Sequence, residues 1–459
     1  MMAGGKGETM DVALSVAIVQ SVARELANGL SPAVRDSARL HIADALGIGT
    51  AARATELARQ VTAAQTLLAG KGDCSLIGGG TASPAAAAFI NASLIHILDY
   101  DDIHDTGRLH PAAVIVPAAL AAAEIAGATD ETLVDAVAIG SELICRLGVV
   151  CAPKGDGPGS EWFLTQLLGY VAASVAAGIA LGFSQSQLVS GIGLAYMQAA
   201  GGKQAGFGTG ATARAVYPAF AAQGGLQAAL LAQAGVTGPE GALDGAAGLF
   251  RLYLGGPLRA EQRTALLDFS RWHCCDVDIK PWPSCRLSHP YVAVALAARK
   301  KGGLSQVTRV RVAVNASAAR LCRPLPQRQR PVTLQDAKYS IPFMTAFALV
   351  RGAPTLEGLG EKIMGDPQVL DMAGRIEIEE NLPDNPGHPA AVLTLERGDG
   401  VERHVFALED LHMDAPAVRL KFFECFRYAG LDGVAESAWN AAIAGQVKQA
   451  VLCSGGTPV

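Results

Sequence analysis

The sequence predicts a mainly α-helical protein, with a large all-helical domain and a smaller α+β domain. Three observations favour this class. Half of the 459 residues are hydrophobic, only 5% are aromatic, and long alanine-rich segments fill the first part of the chain. Short segments with alternating hydrophobicity are confined to the last part. Because alanine and glycine allow helices to pack closely, this composition indicates a helical core rather than a β-sandwich.

The helical domain is predicted to span residues 1–275. Its first clear helix begins at Ser31-Pro32, an N-cap followed by proline in the first turn, and stops near Gly47. Five more helices follow, each ended by glycine or a polar turn. Their sequences are PAAVIVPAALAAAEIAG, ETLVDAVAIGSELICRLG, GYVAASVAAGIALG, SQSQLVSGIGLAYMQAA and ARAVYPAFAAQGGLQAALLAQAG.

A smaller α+β domain is predicted for residues 276–412. The segment CCDVDIKPWPSCRLSHP, rich in proline and cysteine, would form the hinge. Four segments alternate in hydrophobicity and predict strands: VTRVRVAVNA, RIEIEE, AAVLTLERGDG and VERHVFAL. Asp399-Gly400 suggests a hairpin turn, and AKYSIPFMTAFALVRG predicts a helix. Residues 413–459 return to a helical pattern and would pack back on the first domain.

Composition and charge argue against several classes of function. The net charge is −5 at pH 7, and no cluster of lysine and arginine supports binding to nucleic acid. Residues 162–202 carry no charged side chain, but polar residues interrupt them and no basic or aromatic belt flanks them. This pattern indicates buried helices rather than a membrane span. Nine cysteines without a CxxC pair and a start without an apolar signal segment favour a cytoplasmic protein with reduced thiols.

Residues that could carry chemistry cluster in HILDYDDIHDTGRLHPAAV. They are His96, Asp99, Asp101, Asp102, His104, Asp105 and His110. Such a cluster fits a metal site or an acid/base site in which aspartate orients histidine. His104 and His110 are six residues apart across a turn that contains glycine, so no metal is expected. A solvated helix end would explain some of the acids, but His110 opens a strongly apolar helix, where its pKa would be lowered.

Several segments resemble the MmgE/PrpD family. Asp99-Tyr100-Asp101-Asp102…His110-Pro111 resembles the family's D-[FY]-D-D-T…H-P-S pattern, with a spacing most like the epimerase branch. TGATARAVYPAFAAQGG resembles its K-x-x-H-x-G stretch, IKPWPSCRLSH its K-x-[YW]-P-S-C…H loop, and AKYSIPFMTAFALVRG its A-K-[FY]-S-[IL]-P helix. The resemblance covers nearly the whole chain. It implies a large helical domain, a lid domain with the site between them, a homodimer and no cofactor.

The resemblance also implies roles for individual residues. The catalytic candidates are Asp99, His110, Lys280 and Tyr217, and the candidates for binding substrate are Arg214, Asp102, His104, Cys285 and His289. In this scheme Lys280 and Arg214 hold carboxylates of the substrate. His110, oriented by Asp99, moves the proton beside one of them.

Simpler roles stay open for five of these residues. Lys280 could be a solvated lysine, Arg214 a member of a structural ion pair and Tyr217 a packed core residue. Cys285 is more typical of a packed thiol than of a nucleophile. His289 could orient the lid through a hydrogen bond instead of taking part in the reaction.

Five positions depart from the family's pattern. Ile103 replaces threonine, Ala112 replaces serine, and Phe163 replaces the functional histidine of a GWHPT-like motif. Arg214 and Tyr217 replace the lysine and histidine of the K-x-x-H pattern. Arginine keeps the positive charge and can bind a carboxylate through two bonds. Phenylalanine cannot transfer a proton, so a reaction that needs that histidine would be lost or rerouted, for example through Tyr217.

The sequence therefore predicts an enzyme that acts at the carbon α to a carboxylate of a small di- or tricarboxylic acid. Dehydration, as in 2-methylcitrate dehydratase, is the first expectation. Epimerisation of the iminodisuccinate type and decarboxylation of the cis-aconitate type are alternatives within the family. A relative with reduced activity that only binds an acidic ligand is a further alternative, motivated by Ile103, Phe163 and Tyr217. Neither nucleic acid nor a membrane is expected as a partner.

Overall fold

A computed structural model describes residues 12–152, 160–206, 211–383, 390–398 and 400–456. Helices dominate these residues, and the strands form a four-stranded sheet and a small two-stranded ladder. This architecture confirms the predicted fold class, mainly α with a smaller α+β part. Two hydrophobic clusters form the core. One combines residues 14–279 with residues 418–453, and the other lies within residues 291–395.

The first part of the chain is a bundle of helices, several of which begin at a hydroxyl that caps the first turn. Thr129, for example, accepts a hydrogen bond from the amide of Thr132 (3.1 Å) ahead of the helix Asp130–Cys151. A ladder of β1 (Cys74–Ser75) and β2 (Thr81–Ala82) precedes the helix Pro84–His96. The helices are α1 (Leu14–Asn28), α2 (Pro32–Ala52), α3 (Glu56–Ala69), α4 (Pro84–His96), α5 (Ala112–Ala126), α6 (Asp130–Cys151), α7 (Leu164–Ala180), α8 (Gln185–Tyr196), α9 (Tyr217–Gln233), α10 (Leu249–Tyr253) and α11 (Ala260–Leu267).

The predicted start of α2 is confirmed, whereas its predicted end near Gly47 is wrong. The Ser31 hydroxyl accepts from the amide of Val34 (3.4 Å), and the helix continues to Ala52. A β-carbon at Gly47 would lie 3.0 Å from the ring of Phe422. This glycine therefore allows two helices to approach closely and does not end α2.

The segment without charged residues forms α7 and α8, which pack inside the bundle. α7 contacts α5, α6 and α9, and almost all its side chains are buried. Glycine permits this spacing, because a β-carbon at Gly225 of α9 would lie 2.5 Å from Cβ of Ala173. Within the described residues, no helix combines the length and hydrophobicity that crossing a membrane requires.

The second part of the chain is built around a four-stranded sheet, and all four predicted strands form. The strands are β3 (Val307–Ala313), β4 (Ile376–Glu379), β5 (Val392–Arg397) and β6 (Gly400–Val405). Their order is β4-β3-β5-β6; β3 and β4 are parallel and the other pairs are antiparallel. Asp399 of the predicted hairpin turn lies outside the described residues. The helices are α12 (His289–Lys301), α13 (Ala316–Ala319), α14 (Leu325–Gln329), α15 (Leu334–Lys338), α16 (Ile341–Arg351) and α17 (Pro367–Gly374).

Three C-terminal helices return to the first hydrophobic cluster. They are α18 (Ala415–Tyr428), α19 (Asp432–Ile443) and α20 (Val447–Ser454). α18 and α19 pack on α2, and α19 packs on α20. This return brings Lys421 of α18 next to the loop that follows α4, where the chemistry-bearing residues lie.

Candidate active site

Residues 97–111, here called the acidic loop, connect α4 to α5. Asp99, Asp101 and Asp102 are all buried, with no more than 2% of each residue exposed. The alternative of a solvated helix end is therefore wrong for Asp101 and Asp102. Asp105 is half-buried and pairs with Arg286 (2.7 Å). Because a buried carboxylate is costly unless charges and hydrogen bonds compensate it, the partners of these acids define the site.

His110 closes the loop and is held by its backbone and one ring nitrogen. Its amide donates to Oγ1 of Thr165 (3.0 Å), and Nδ1 lies 2.6 Å from the carbonyl oxygen of Asp102. Since a carbonyl only accepts, Nδ1 carries the proton and Nε2 of the neutral ring carries the lone pair. Burial, which outweighs the attraction of Asp101, lowers the pKa of His110 to about 3. The imidazole is therefore neutral at pH 7.

The residues that orient His110 differ from the predicted one. The His110 ring contacts the carbonyl of Asp102, and its Nδ1 lies 3.6 Å from Oδ2 of Asp101. The carboxylate of Asp99, to which the sequence assigned this task, accepts instead from the phenol of Tyr339 and from Nε2 of Gln335 (3.2 Å). Asp99 therefore ties the acidic loop to the second part of the chain.

Asp101 lies at the centre of the buried charges. Its Oδ2 is 2.7 Å from Nδ1 of His96, and its Oδ1 is 3.7 Å from Nζ of Lys280. Burial raises the pKa of Asp101, but His96, His110 and Lys280 outweigh burial and hold that pKa well below its usual range. The ring centroids of His96 and His110 are 5.1 Å apart. The ionised Asp101 thus links both histidines to one lysine.

Asp102 fixes the end of the loop on two helices. Its carboxylate oxygens accept from the amide of Ala112 at 3.2 and 3.3 Å. One of them also lies 3.2 Å from Nδ1 of His41 in α2. A negative charge at the start of α5 is favoured by the helix dipole. Asp102 therefore supports His110 through its backbone carbonyl, while its side chain anchors α5.

Three buried lysines, which we call the lysine clasp, each donate to a backbone carbonyl of the acidic loop. They come from three segments that are distant in sequence. Asp99, whose carbonyl accepts from Lys280, has a φ of 55°. This left-handed backbone conformation needs support from neighbouring groups in a residue other than glycine. The pairs are Lys338 to Leu98 (2.8 Å), Lys280 to Asp99 (3.2 Å) and Lys421 to Tyr100 (2.8 Å).

A cavity of about 140 Å³ lies beside His110 and is lined by both parts of the chain. Cavities of roughly 150 Å³ hold benzene, so a small organic acid is of a suitable size. Four of the lining side chains are cationic, and none of the lining residues that the structure describes is acidic. The lining residues are Arg108, His110, Ser160, Trp162, Phe163, Leu164, Thr165, Lys203, Arg214, Tyr217, Ser317 and Arg320.

Arg214 is held at this cavity by ring contacts and by one hydrogen bond. Its Cζ lies 3.6 Å from the ring centroid of Tyr339 and 5.7 Å from that of Phe163. Its Nη1 donates to the carbonyl of Gly206 (3.2 Å). Burial lowers the pKa of Arg214, but Tyr339 and nearby thiol and carboxyl groups raise it above its ordinary value. Arg214 is therefore a permanent positive charge at the cavity wall.

Phe163 and Tyr217, which replace two histidines of the family pattern, stack on each other. Their ring centroids are 4.2 Å apart and the rings are inclined by 12°. Burial raises the pKa of Tyr217, although a hydrogen bond with Thr165 opposes this. Its phenol is therefore protonated at neutral pH and can donate a hydrogen bond, whereas Phe163 supplies only an apolar surface.

Besides Asp99 and Asp102, whose contacts are given above, four residues predicted at the site do not line the cavity. Lys280 belongs to the lysine clasp and faces Asp101. His104 accepts from the amide of Gly107 (2.9 Å), and Cys285 donates its amide to the carbonyl of Lys338 (3.1 Å). His289 is fully buried against the ring of Trp282 (5.4 Å). The structure gives each of these residues a packing or loop-forming contact in place of direct access to the cavity.

Sequence reasoning counted His96 in the cluster without giving it a role, and it missed three cationic residues that line the cavity: Arg108, Lys203 and Arg320. His96 carried a signal, because it belongs to the same cluster and precedes Asp101 by five residues. Lys203 directly follows a long segment without charges, which is a weaker signal. Arg108 and Arg320 look like ordinary surface arginines in the sequence, and only the fold brings them to the cavity.

Two groups of side chains have ligand atoms close enough to hold a metal ion: His96, Asp101 and His110, and His104, His273 and Asp276, each within 4.8 Å. In the first group the Nδ1 atoms of both histidines already face oxygen atoms of the loop. In the second, Nδ1 of His104 accepts an amide proton, so its other nitrogen carries hydrogen in the neutral ring. The first group is therefore arranged as a hydrogen-bond network, and in the second group Nδ1 of His104 is occupied by the amide of Gly107.

Comparisons with known proteins identify the family of this chain. The MmgE/PrpD N-terminal domain matches residues 16–261, and the MmgE/PrpD C-terminal domain matches residues 282–427. Cis-aconitate decarboxylase of Aspergillus terreus is 28% identical over 353 residues, which is 72% of this chain and 71% of the relative. The proteins of that name from Homo sapiens and Mus musculus are each 26% identical, over 65% and 77% of this chain and 63% and 72% of their own lengths. The chain belongs to the MmgE/PrpD family.

Proposed function

We propose that this protein is a lyase that acts at the carbon beside a carboxylate of a small polycarboxylic acid. Decarboxylation of a cis-aconitate-type substrate is the reaction that we rank first. One observation carries the proposal. A neutral histidine lies at a cavity whose described lining includes four cations and no acid. A substrate with several negative charges would offset the repulsion that Arg108 and Arg214 exert on Lys203, whereas a neutral or cationic molecule would not.

His110 is the group that handles the proton. Without an anion its pKa is about 3 because of burial. A carboxylate beside the ring favours the imidazolium form and raises that pKa. Binding of the substrate therefore promotes protonation of His110, and this proton is the one that catalysis needs. The Asp102 carbonyl keeps Nδ1 protonated, which directs the exchangeable proton to Nε2.

The proposed step balances as follows. The bond between the reacting carbon and one carboxylate breaks, and that carboxylate leaves as CO₂. The electron pair stays on the carbon, where Arg214 and the neighbouring cations stabilise the developing charge. A proton from Nε2 of His110 then forms the new C–H bond. The products are CO₂ and an acid with one carboxylate fewer.

The number of proton-transfer groups favours decarboxylation over dehydration. Decarboxylation needs one proton delivered to carbon. Dehydration needs a base for the carbon and an acid for the leaving hydroxide. Phe163, an apolar residue where the family pattern has histidine, removes one such group from the cavity wall. The relatives named cis-aconitate decarboxylase also support ranking decarboxylation above dehydration.

A second candidate is dehydration or epimerisation with Tyr217 as the other proton-transfer group. Tyr217 lines the cavity with His110, and its ring centroid lies 5.0 Å from that of His96. Its phenol is protonated at neutral pH because burial raises its pKa. It can therefore donate a proton, but it regenerates a base with difficulty, which ranks this candidate second.

A substrate screen with product identification tests the proposal. The full chain is incubated separately with cis-aconitate, 2-methylcitrate, citrate and iminodisuccinate, and products are identified by NMR. We expect CO₂ release from cis-aconitate, lost in His110→Ala and kept in His412→Ala, which changes an exposed histidine. Dehydration or epimerisation without CO₂ release would favour the second candidate. Binding without turnover of any acid would contradict both and indicate a relative that only binds an acidic ligand.

A further inference from the structure

Arg108 lies in the turn formed by residues 104–109 of the acidic loop and lines the same cavity as His110. Its φ is 56°, in the left-handed region that glycine and asparagine adopt much more readily than arginine. Among the non-glycine residues that the structure describes, only Asp99 and Arg108 have a positive φ. Such strained residues persist only where the surrounding structure enforces them, and they cluster at functional sites.

The turn that carries Arg108 is firmly held. His104 and Leu109 exchange two backbone hydrogen bonds (2.9 and 3.4 Å), and Gly107 donates its amide to Nδ1 of His104 (2.9 Å). The turn also packs tightly on α6, since a β-carbon at Gly148 would lie 2.4 Å from Cδ2 of Leu109. Arg108 is thus kept at the cavity by a turn that cannot easily rearrange.

Lys203, on another segment of the cavity wall, experiences the charge of Arg108. Burial lowers the pKa of Lys203, and Arg214 and Arg108 lower it further, against weaker opposition from Cys285 and Glu161. Within the described ranges, no ion pair joins Arg108 or Lys203 to an acid of the protein. Cations that crowd together without an acidic partner are stabilised when an anion binds between them.

We propose that Arg108 and Lys203 form a second carboxylate subsite in this cavity, which adjoins the position at Arg214. This subsite makes the cavity selective for acids with two or more carboxylates. The inference rests on the proposed function and narrows it, because it states how the cavity distinguishes polycarboxylates from monocarboxylates. A planar guanidinium and an ammonium together can hold one carboxylate through charge-assisted hydrogen bonds.

The test uses unreactive acids, so that it does not depend on turnover. Dissociation constants of tricarballylate, glutarate and butyrate are measured by calorimetry for the full chain and for Arg108→Asn, Lys203→Met and Arg251→Gln. Arg251 is exposed and serves as a control for the loss of one charge. We expect Arg108→Asn and Lys203→Met to weaken tricarballylate binding roughly ten-fold or more and butyrate binding less than about two-fold.

The backbone strain gives an independent readout. Asparagine tolerates a left-handed φ, so Arg108→Asn should melt at the same temperature as the parent or higher while it loses tricarballylate affinity. If the parent binds tricarballylate and Arg108→Asn binds it equally well, the subsite is wrong and the proposed function stands. If the parent binds none of the three acids, this result contradicts both the proposed subsite and the proposed function.

Discussion

Lys421 in the C-terminal helix α18 donates a hydrogen bond to the backbone carbonyl of Tyr100, 321 residues earlier in the chain (2.8 Å). The same ammonium lies 2.7 Å from Oδ1 of Asp44 in α2. Both charged side chains are buried. Helix α18 is therefore fastened to the loop that carries His110, so the position of this helix bears directly on the site.

Removal of this lysine should destabilise the protein and disturb the loop. Lys421→Met leaves Asp44 buried without its partner and the Tyr100 carbonyl without its donor. We expect the free energy of unfolding to fall by about 3–5 kcal/mol, measured by urea denaturation, and kcat to fall more than KM rises.

A matched double variant separates charge from packing. Asp44→Leu combined with Lys421→Met removes both charges and should recover much of the lost stability. Lys300→Met, at an exposed position of α12, serves as the control and should change the unfolding free energy by less than about 0.5 kcal/mol. A Lys421→Met protein as stable as the parent would contradict the role assigned to the lysine clasp.

Arg214 should act through its shape as well as its charge. Its guanidinium stacks on Tyr339, and its Nη1 bonds to a backbone carbonyl, contacts that lysine cannot reproduce. We expect Arg214→Lys to raise KM roughly ten-fold and Arg214→Met to raise it further, since the charge is also lost. Steady-state kinetics with the substrate found in the screen measure both. An Arg214→Met enzyme with parental KM would show that the carboxylate binds elsewhere.

Acid should destabilise the protein because histidines are buried in their neutral form. Burial lowers the pKa of His104 to about 4 and that of His110 to about 3, below the value of about 6.5 for an unfolded chain. The unfolded state therefore binds more protons between about pH 3 and pH 6.5, and the free energy of unfolding rises with pH across this window. Asp44 opposes this trend, because burial raises its pKa to about 6.

A single variant tests this dependence on pH. His104→Asn keeps an acceptor for the Gly107 amide and removes one titrating ring. We expect the slope of unfolding free energy against pH, measured by urea denaturation between pH 4 and 7, to decrease by up to about 1.4 kcal/mol per pH unit. An unchanged slope would contradict the assignment of His104 as a buried neutral residue.

Much of the fold follows from local sequence patterns. The caps at Ser31 and the alternation around Val310 and Val312 predict elements that the structure confirms. The predicted end of α2 was wrong because glycine occurs both at helix ends and where two helices approach closely. Sequence alone does not distinguish a helix end from a close contact such as that between Gly47 and Phe422.

The site was less predictable than the fold. The acidic loop is recognisable because its acids and histidines are concentrated in one segment. The partner of His110 was misassigned, since the sequence does not reveal that Asp99 takes a left-handed backbone conformation and bonds to Tyr339. Contacts such as that of Lys421 join segments hundreds of residues apart, and no spacing rule anticipates them.

The most direct test of the central claim is deuterium transfer by His110. The parent and His110→Asn are incubated with cis-aconitate in D₂O, and the product is analysed by proton NMR while tricarballylate binding is measured in parallel. We predict that the parent places one deuterium on the carbon that lost its carboxylate. His110→Asn should be slower by roughly 100-fold or more with intact binding. Deuterated product formed by His110→Asn at the parental rate would contradict the claim that His110 delivers the proton.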